Sequence, residues 1–202
     1  MLFVGIDQSL THPGIAILND EEKLVVSDVL SVGTKLRGSE RLSAIGEFTR
    51  KRIEQAIEDQ GLHSDLRGCI EGPSLGSIHR EFDLGEVSGV VKSVCWMLGL
   101  DLIVVAPTQL KFFATGHGLH GNSQGNPRAS KDAVLHAVKI YWSHDFGKDD
   151  NRADAYVLAR IAWAMHHRKF KRRCEADVVV KLSGPSVPNA LRRRRLDRAT
   201  NI

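Results

Sequence analysis

The sequence predicts an α/β protein, a mixed β-sheet flanked by α-helices and followed by a basic C-terminal tail. Three observations carry this prediction. Residues 2–30 hold three short apolar runs rich in β-branched side chains and separated by turn formers, the pattern of an antiparallel meander. Two later runs, 66–70 and 102–106, alternate with stretches whose apolar residues recur every three or four positions. From Arg168 onward eleven Lys and Arg stand against three acids. Strands that alternate with helices after an opening meander imply a sheet with helices on its faces. A length of 202 residues, 42% hydrophobic and 26% charged, suits one globular domain over 1–167 with an extension, partly disordered, over 168–202.

The first strand runs into Asp7, and Ser9, Thr11, Pro13 and Gly14 supply a turn before the second. Gly5 and Gly14 leave room there for a phosphate or metal to approach the backbone. Residues 24–30 form the third strand. Over 40–60, Leu42, Ile45, Phe48, Ile53, Ala56 and Ile57 make the stripe of an amphipathic helix. The strand at 66–70 ends at Glu71, before the breakers Gly72 and Pro73. Residues 84–98 resume a helical stripe in which Gly85 and Gly89, four apart, present small residues for close packing of another helix. After the strand at 102–106, Pro107 and Thr108 start a short helix, with Thr108 as its cap. Residues 116–128 are too rich in Gly and polar side chains for regular structure and read as a mobile loop. Ser130 begins the next helix. An alanine-rich helix from Arg152 can then lie close against the sheet.

Net charge is +4, unevenly spread: the tail carries an excess of eight positive charges, the first 167 residues an excess of four negative ones. A basic extension suits a polyanion, because Lys and Arg on phosphates release counterions; a solvated tail has the same composition. Apolar runs fall short of the roughly 18 residues of a membrane span. Three cysteines without a C-x-x-C pair read as reduced thiols in a cytoplasmic protein, two of them in the core. His79, His117, His120, His166 and His167 are scattered and lack cysteine partners, which favours solvated histidines over a zinc site.

Asp7, Glu71 and Asp154 leave two strands and open the last helix, positions that can converge on one edge of a sheet. Each also has an ordinary reading, as a turn cap or a surface acid. Gathered carboxylates raise one another's pKa unless cations sit between them. Oxygen ligands without a matching Cys/His set favour Mg²⁺ or Mn²⁺, and two such ions roughly 4 Å apart can promote phosphodiester cleavage.

Gly5-Ile6-Asp7-Gln8-Ser9-Leu10-Thr11 with Gly14, then Ile70-Glu71, Leu84-Gly85-Glu86-Val87-Ser88-Gly89, Pro107-Thr108-Gln109-Leu110-Lys111 and Ala153-Asp154-Ala155 resemble, in order and spacing, the RuvC family of Holliday junction resolvases. The resemblance reaches to about His166. It implies a ribonuclease H-like fold, a homodimer, and a crossover junction endodeoxyribonuclease that nicks four-way DNA junctions with Mg²⁺ or Mn²⁺, two ions per site. It also implies that Asp7, Glu71 and Asp154 bind metal. The family's fourth acid falls at Asn151, an Asp or His in other members, so Asp150 is the expected ligand with Asn151 in reserve. Lys111 and Lys131 resemble basic residues that the family keeps near the scissile phosphate. His79, Arg80, Arg128, Arg192, Arg193, Arg194 and Arg195 complete the expected DNA contacts. Ser74 stands where cellular members carry a base-contacting aromatic, so cleavage-sequence preference does not transfer. The long Gly-rich loop and the tail look more like a phage or mobile-element member.

The competing expectations are a ribonuclease H-like nuclease for other branched DNA or RNA–DNA hybrids and a non-catalytic junction-binding protein. An actin-like ATP-binding domain, whose first strand also ends in Gly-x-Asp, needs a duplicated domain that this length excludes.

Overall fold

The structure, a computed structural model, describes residues 1–33, 36–60, 65–72, 81–117 and 127–184. Among these the chain forms β1 (Leu2–Asp7), β2 (Gly14–Asn19), β3 (Leu24–Val29), α1 (Gly38–Asp59), β4 (Leu66–Glu71), α2 (Glu81–Met97), β5 (Leu102–Val105), α3 (Pro107–Thr115), α4 (Pro127–Trp142), α5 (Asp150–His167) and α6 (Arg173–Ser183). The five strands make one mixed sheet in the order β3-β2-β1-β4-β5. β1 is its centre, antiparallel to β2 and parallel to β4.

Side chains alternate between the faces of a strand, and two cores follow from this. Leu2, Val4 and Ile6 of β1, with Ile70 of β4, pack on the face covered by α1 and α2. Phe3 and Cys69 pack on the other face with α3, α4, α5 and α6. Continuing the alternation, Asp7 and Glu71 emerge on the α5 face. The register sets them side by side, because Ile6 pairs with Ile70 in the parallel ladder.

The glycines of the opening hairpin serve the helix, which corrects the expectation that they admit a ligand. A Cβ on Gly5 would lie 2.0 Å from the Ala155 carbonyl oxygen and 2.2 Å from the Ala159 nitrogen, and one on Gly14 would lie 2.6 Å from the Asn151 oxygen. The buried Ala153, Ala155 and Ala159 complete this fit of α5 against the sheet.

Helix starts differ from the sequence expectation. Asp149 caps α5, its side chain accepting from the Arg152 amide at 3.0 Å, so Asp150 opens the helix. Ala106 precedes α3 with Pro107 in its first turn, and the Gln109 side chain accepts from the Ala106 amide in place of a Thr108 cap. α4 begins at Pro127, three residues before Ser130.

The larger correction concerns the tail, expected outside the core from Arg168. α6 buries Glu175, Val178 and Val179, and the two valines join the core of the α5 face. The Arg172 guanidinium donates to the Ala114 and Phe113 carbonyls at 2.8 and 2.7 Å, satisfying carbonyls at the end of α3 that have no partner within the helix. Its Nε donates to Glu175 at 2.9 Å, and its guanidinium lies 3.9 Å from the Tyr141 ring centroid. Part of the tail's positive charge therefore belongs to the fold. Residues 185–202, with Arg192 to Arg195, lie outside the described ones.

Candidate active site

Asp7 leaves the centre of the sheet and is 5% exposed. Its neighbour Gln8 donates from Nε2 to the Glu71 carbonyl at 2.6 Å, which ties the ends of β1 and β4 together; its Oε1 is buried without a hydrogen-bond partner. α5 brings Asp150 and Asp154 to the same edge, held there by the glycine contacts below them. Lys111 on α3 and Lys131 on α4 approach from the other side, and Lys131 forms an ion pair with Asp150.

The electrostatics show how closely these groups meet. Burial raises the Asp7 carboxyl well above the usual range, and the charges of Glu71, Asp154 and Asp150 raise it further. Burial, then Glu71 and Asp150, push Asp154 up to about 8, against the pull of Lys111 and Lys131. Glu71 is also raised by burial, while a hydrogen bond with Asp7 and the two lysines work in the opposite direction. Such a cluster is costly as four charges and stable only with protons or cations among them. The donors are hard carboxylate oxygens, so they fit Mg²⁺ or Mn²⁺. The acids stand openly: among the described residues, the only three His, Cys, Asp or Glu donors within 4.8 Å of one another belong to Asp20, His166 and His167.

Asp7, Glu71, Asp150 and Asp154 thus meet at one sheet edge, with Lys111 and Lys131 facing them from α3 and α4. Asn151 sits there through its backbone, whose carbonyl faces Gly14. His79, Arg80 and Arg192 to Arg195 fall outside the described residues, and Arg128 is placed by its backbone alone, in the first turn of α4. Gln8 went unnoticed in the sequence, although its place directly after Asp7 was the available signal.

No family model matches the chain. It is similar to the crossover junction endodeoxyribonuclease RuvC of Synechococcus sp. (strain CC9311), 27% identical over 181 residues that span 82% of this chain and 100% of that protein. The RuvC of Rickettsia akari (strain Hartford) is 23% identical over 175 residues, 82% of this chain and 98% of its own. Among solved structures, Thermus thermophilus RuvC in complex with Holliday junction substrate superposes with a TM-score of 0.62 at 16% identity, covering 83% of this chain and 96% of that one. A mixed sheet in this order, covered by helices and superposing on RuvC, is a ribonuclease H-like fold. Coverage of the RuvC proteins from end to end narrows the class further: the chain is similar to RuvC resolvases along nearly their whole length.

Proposed function

We propose that this chain is a divalent-cation-dependent endonuclease that nicks four-way DNA junctions by phosphodiester hydrolysis. The observation that carries the proposal is the meeting of Asp7, Glu71, Asp150 and Asp154 with Lys111 and Lys131 at one sheet edge. Asp7, Glu71 and Asp154 hold Mg²⁺ or Mn²⁺, two ions per site, with Asp150 as fourth ligand and Asn151 in reserve. When bound, the ions activate water and offset charge on the leaving oxygen. The chain's own groups prepare for this. Burial of Asp7 keeps bulk water from screening the centre of the site. The Gln8 bridge fixes the spacing of the strand ends. Lys111 acts on Glu71 and Asp154 at close range and is placed to neutralise a phosphate oxygen as the acids take up cations. Lys131 holds Asp150, and would be available to a phosphate if Asp150 served a metal ion instead.

Resolution of a junction needs two cuts on opposed strands, hence a homodimer. α2 offers the surface: Phe82, Trp96 and Met97 are exposed, and Gly85 and Gly89 have open space beside them. Junction-bound RuvC from Thermus thermophilus has the same fold, which supports branched DNA as the substrate. The test is nicking of a synthetic four-way junction against linear duplex, three-way and RNA–DNA hybrid substrates, with and without Mg²⁺. Selective, Mg²⁺-dependent cutting of the four-way junction is expected; equal cutting of the other substrates would move the assignment to a broader nuclease.

A further inference from the structure

At the end of β1 opposite Asp7, the last turn of α5 meets the turn between β2 and β3. The sequence leaves His166 and His167 as solvated histidines; the fold brings both to Asp20. One donor atom from each of the three residues lies within 4.8 Å of the others. His167 Nε2 is 3.1 Å from Asp20 Oδ1, yet it is a buried nitrogen without a hydrogen-bond partner. A buried imidazole nitrogen beside a carboxylate but out of hydrogen-bond alignment with it costs stability unless something else binds there.

The surroundings hold these groups in place. Asn19 Oδ1 accepts from the Glu21 and Lys23 amides at 3.1 and 2.9 Å, which shapes the turn. Trp163 Nε1 donates to the Asp20 carbonyl at 3.1 Å, and the buried Arg160 pairs with Glu22, so two residues of α5 fasten the turn beside the cluster. The His167 ring packs 4.5 Å from Trp163 and 5.4 Å from Phe3, and His166 packs 5.6 Å from Phe3. Aromatic rings thus form the wall behind the donors. His166, on the exposed side, has room to swing.

We infer that Asp20, His166 and His167 form a transition-metal site, of the kind that takes Zn²⁺, which staples the C-terminal end of α5 to the β2–β3 turn. Two imidazoles and a carboxylate are ligands for a borderline metal and a poor set for Mg²⁺. Three protein ligands leave the fourth tetrahedral position to water. Bonds of about 2.1 Å place tetrahedral donors about 3.4 Å apart, so donors now within 4.8 Å of one another close by at most about 1.4 Å, within reach of a side-chain adjustment at His166. From Asp154 to His166 the helix rises about 18 Å, so the site is separate from the acids, and its role is to hold α5.

The test is calorimetric titration of the full-length protein with Zn²⁺ in millimolar Mg²⁺, which keeps the acid cluster supplied with a hard cation, together with thermal melts. The wild type is expected to bind one equivalent more than His166→Ala, and Asp20→Asn to weaken that equivalent at least tenfold. Zn²⁺ should raise the melting temperature of the wild type but not that of His166→Ala. Both changed positions are exposed, so metal-free melts close to wild type are expected and verify folding. Equal stoichiometry and affinity in the wild type and both variants, or no micromolar Zn²⁺ binding by the wild type, overturns the inference.

Discussion

At the scale of single residues, the candidate active site is a set of acids whose folding cost is tolerated for what they can hold. Asp7→Asn, Glu71→Gln and Asp154→Asn should each reduce junction nicking at saturating Mg²⁺ by at least a thousandfold while leaving junction binding nearly unchanged, because the role proposed for the acids is to hold cations and not the DNA backbone. The metal-free Asp7→Asn and Asp154→Asn proteins should melt a few degrees above wild type at pH 8, since each change removes a charge that burial and neighbouring acids disfavour. Asp150→Asn should impair cleavage more than Asn151→Ala. Single-turnover assays on a labelled junction, paired with gel shifts and melts, check all three statements; near-normal cleavage by any acid variant would remove that residue from the site.

Between elements, the decisive contact is that of β1 with α5. Gly5→Ala would drive a methyl into the Ala155 carbonyl and the Ala159 amide, backbone atoms that cannot rotate aside. The expected cost is about 3 kcal/mol or more, read as a lower urea midpoint or loss of soluble protein. α6 makes a second prediction at this scale. Truncation after Gly184 should leave stability close to that of the full chain, whereas truncation after His167 should destabilise it strongly by removing Val178, Val179 and the Arg172 contacts with the end of α3. If residues 185–202 supply electrostatic affinity through Arg192 to Arg195, the shorter truncation should weaken junction and duplex binding alike and flatten the salt dependence by a log-log slope of roughly 0.9 per lost phosphate contact. Chemical denaturation and salt-dependent binding of the two truncations separate these roles.

For the whole molecule, the raised acids make stability depend on pH and on cations together. A carboxyl that titrates near 8 in the folded protein, against an ordinary value of 3.8, binds its proton more tightly folded than unfolded. Stability of the metal-free protein should therefore be highest below the ordinary carboxylate range and decline as pH rises toward about 8, with Asp7 contributing in the same direction. Mg²⁺ should raise the melting temperature at pH 8 much more than at pH 5. A pH-independent Mg²⁺ effect would contradict the coupling. Assembly belongs to this scale as well: Gly89→Trp should give a monomer by sedimentation that nicks junctions without coordinating the two cuts, and an unchanged sedimentation profile would exclude α2 as the dimer surface.

By itself, the sequence determined the sheet and its acids, because a period of two for strands, a period near four for helices and polar ends on apolar runs are local properties of the chain. Asp7, Glu71 and Asp154 were legible for that reason, and the order of the short motifs around them pointed to a resemblance to RuvC resolvases. The tertiary structure decided whatever depends on what packs opposite. Gly5 and Gly14 read as room for a ligand, yet only the position of α5 shows that they make room for a helix. The bases after Arg168 read as one charged tail, but Arg172 finds its partners 58 and 59 positions away on α3, a pairing no local pattern encodes. His166 and His167 read as scattered histidines until the β2–β3 turn set Asp20 beside them. In each case a side chain's role was fixed by a neighbour distant in sequence, and such neighbours are chosen by how helices close over the sheet.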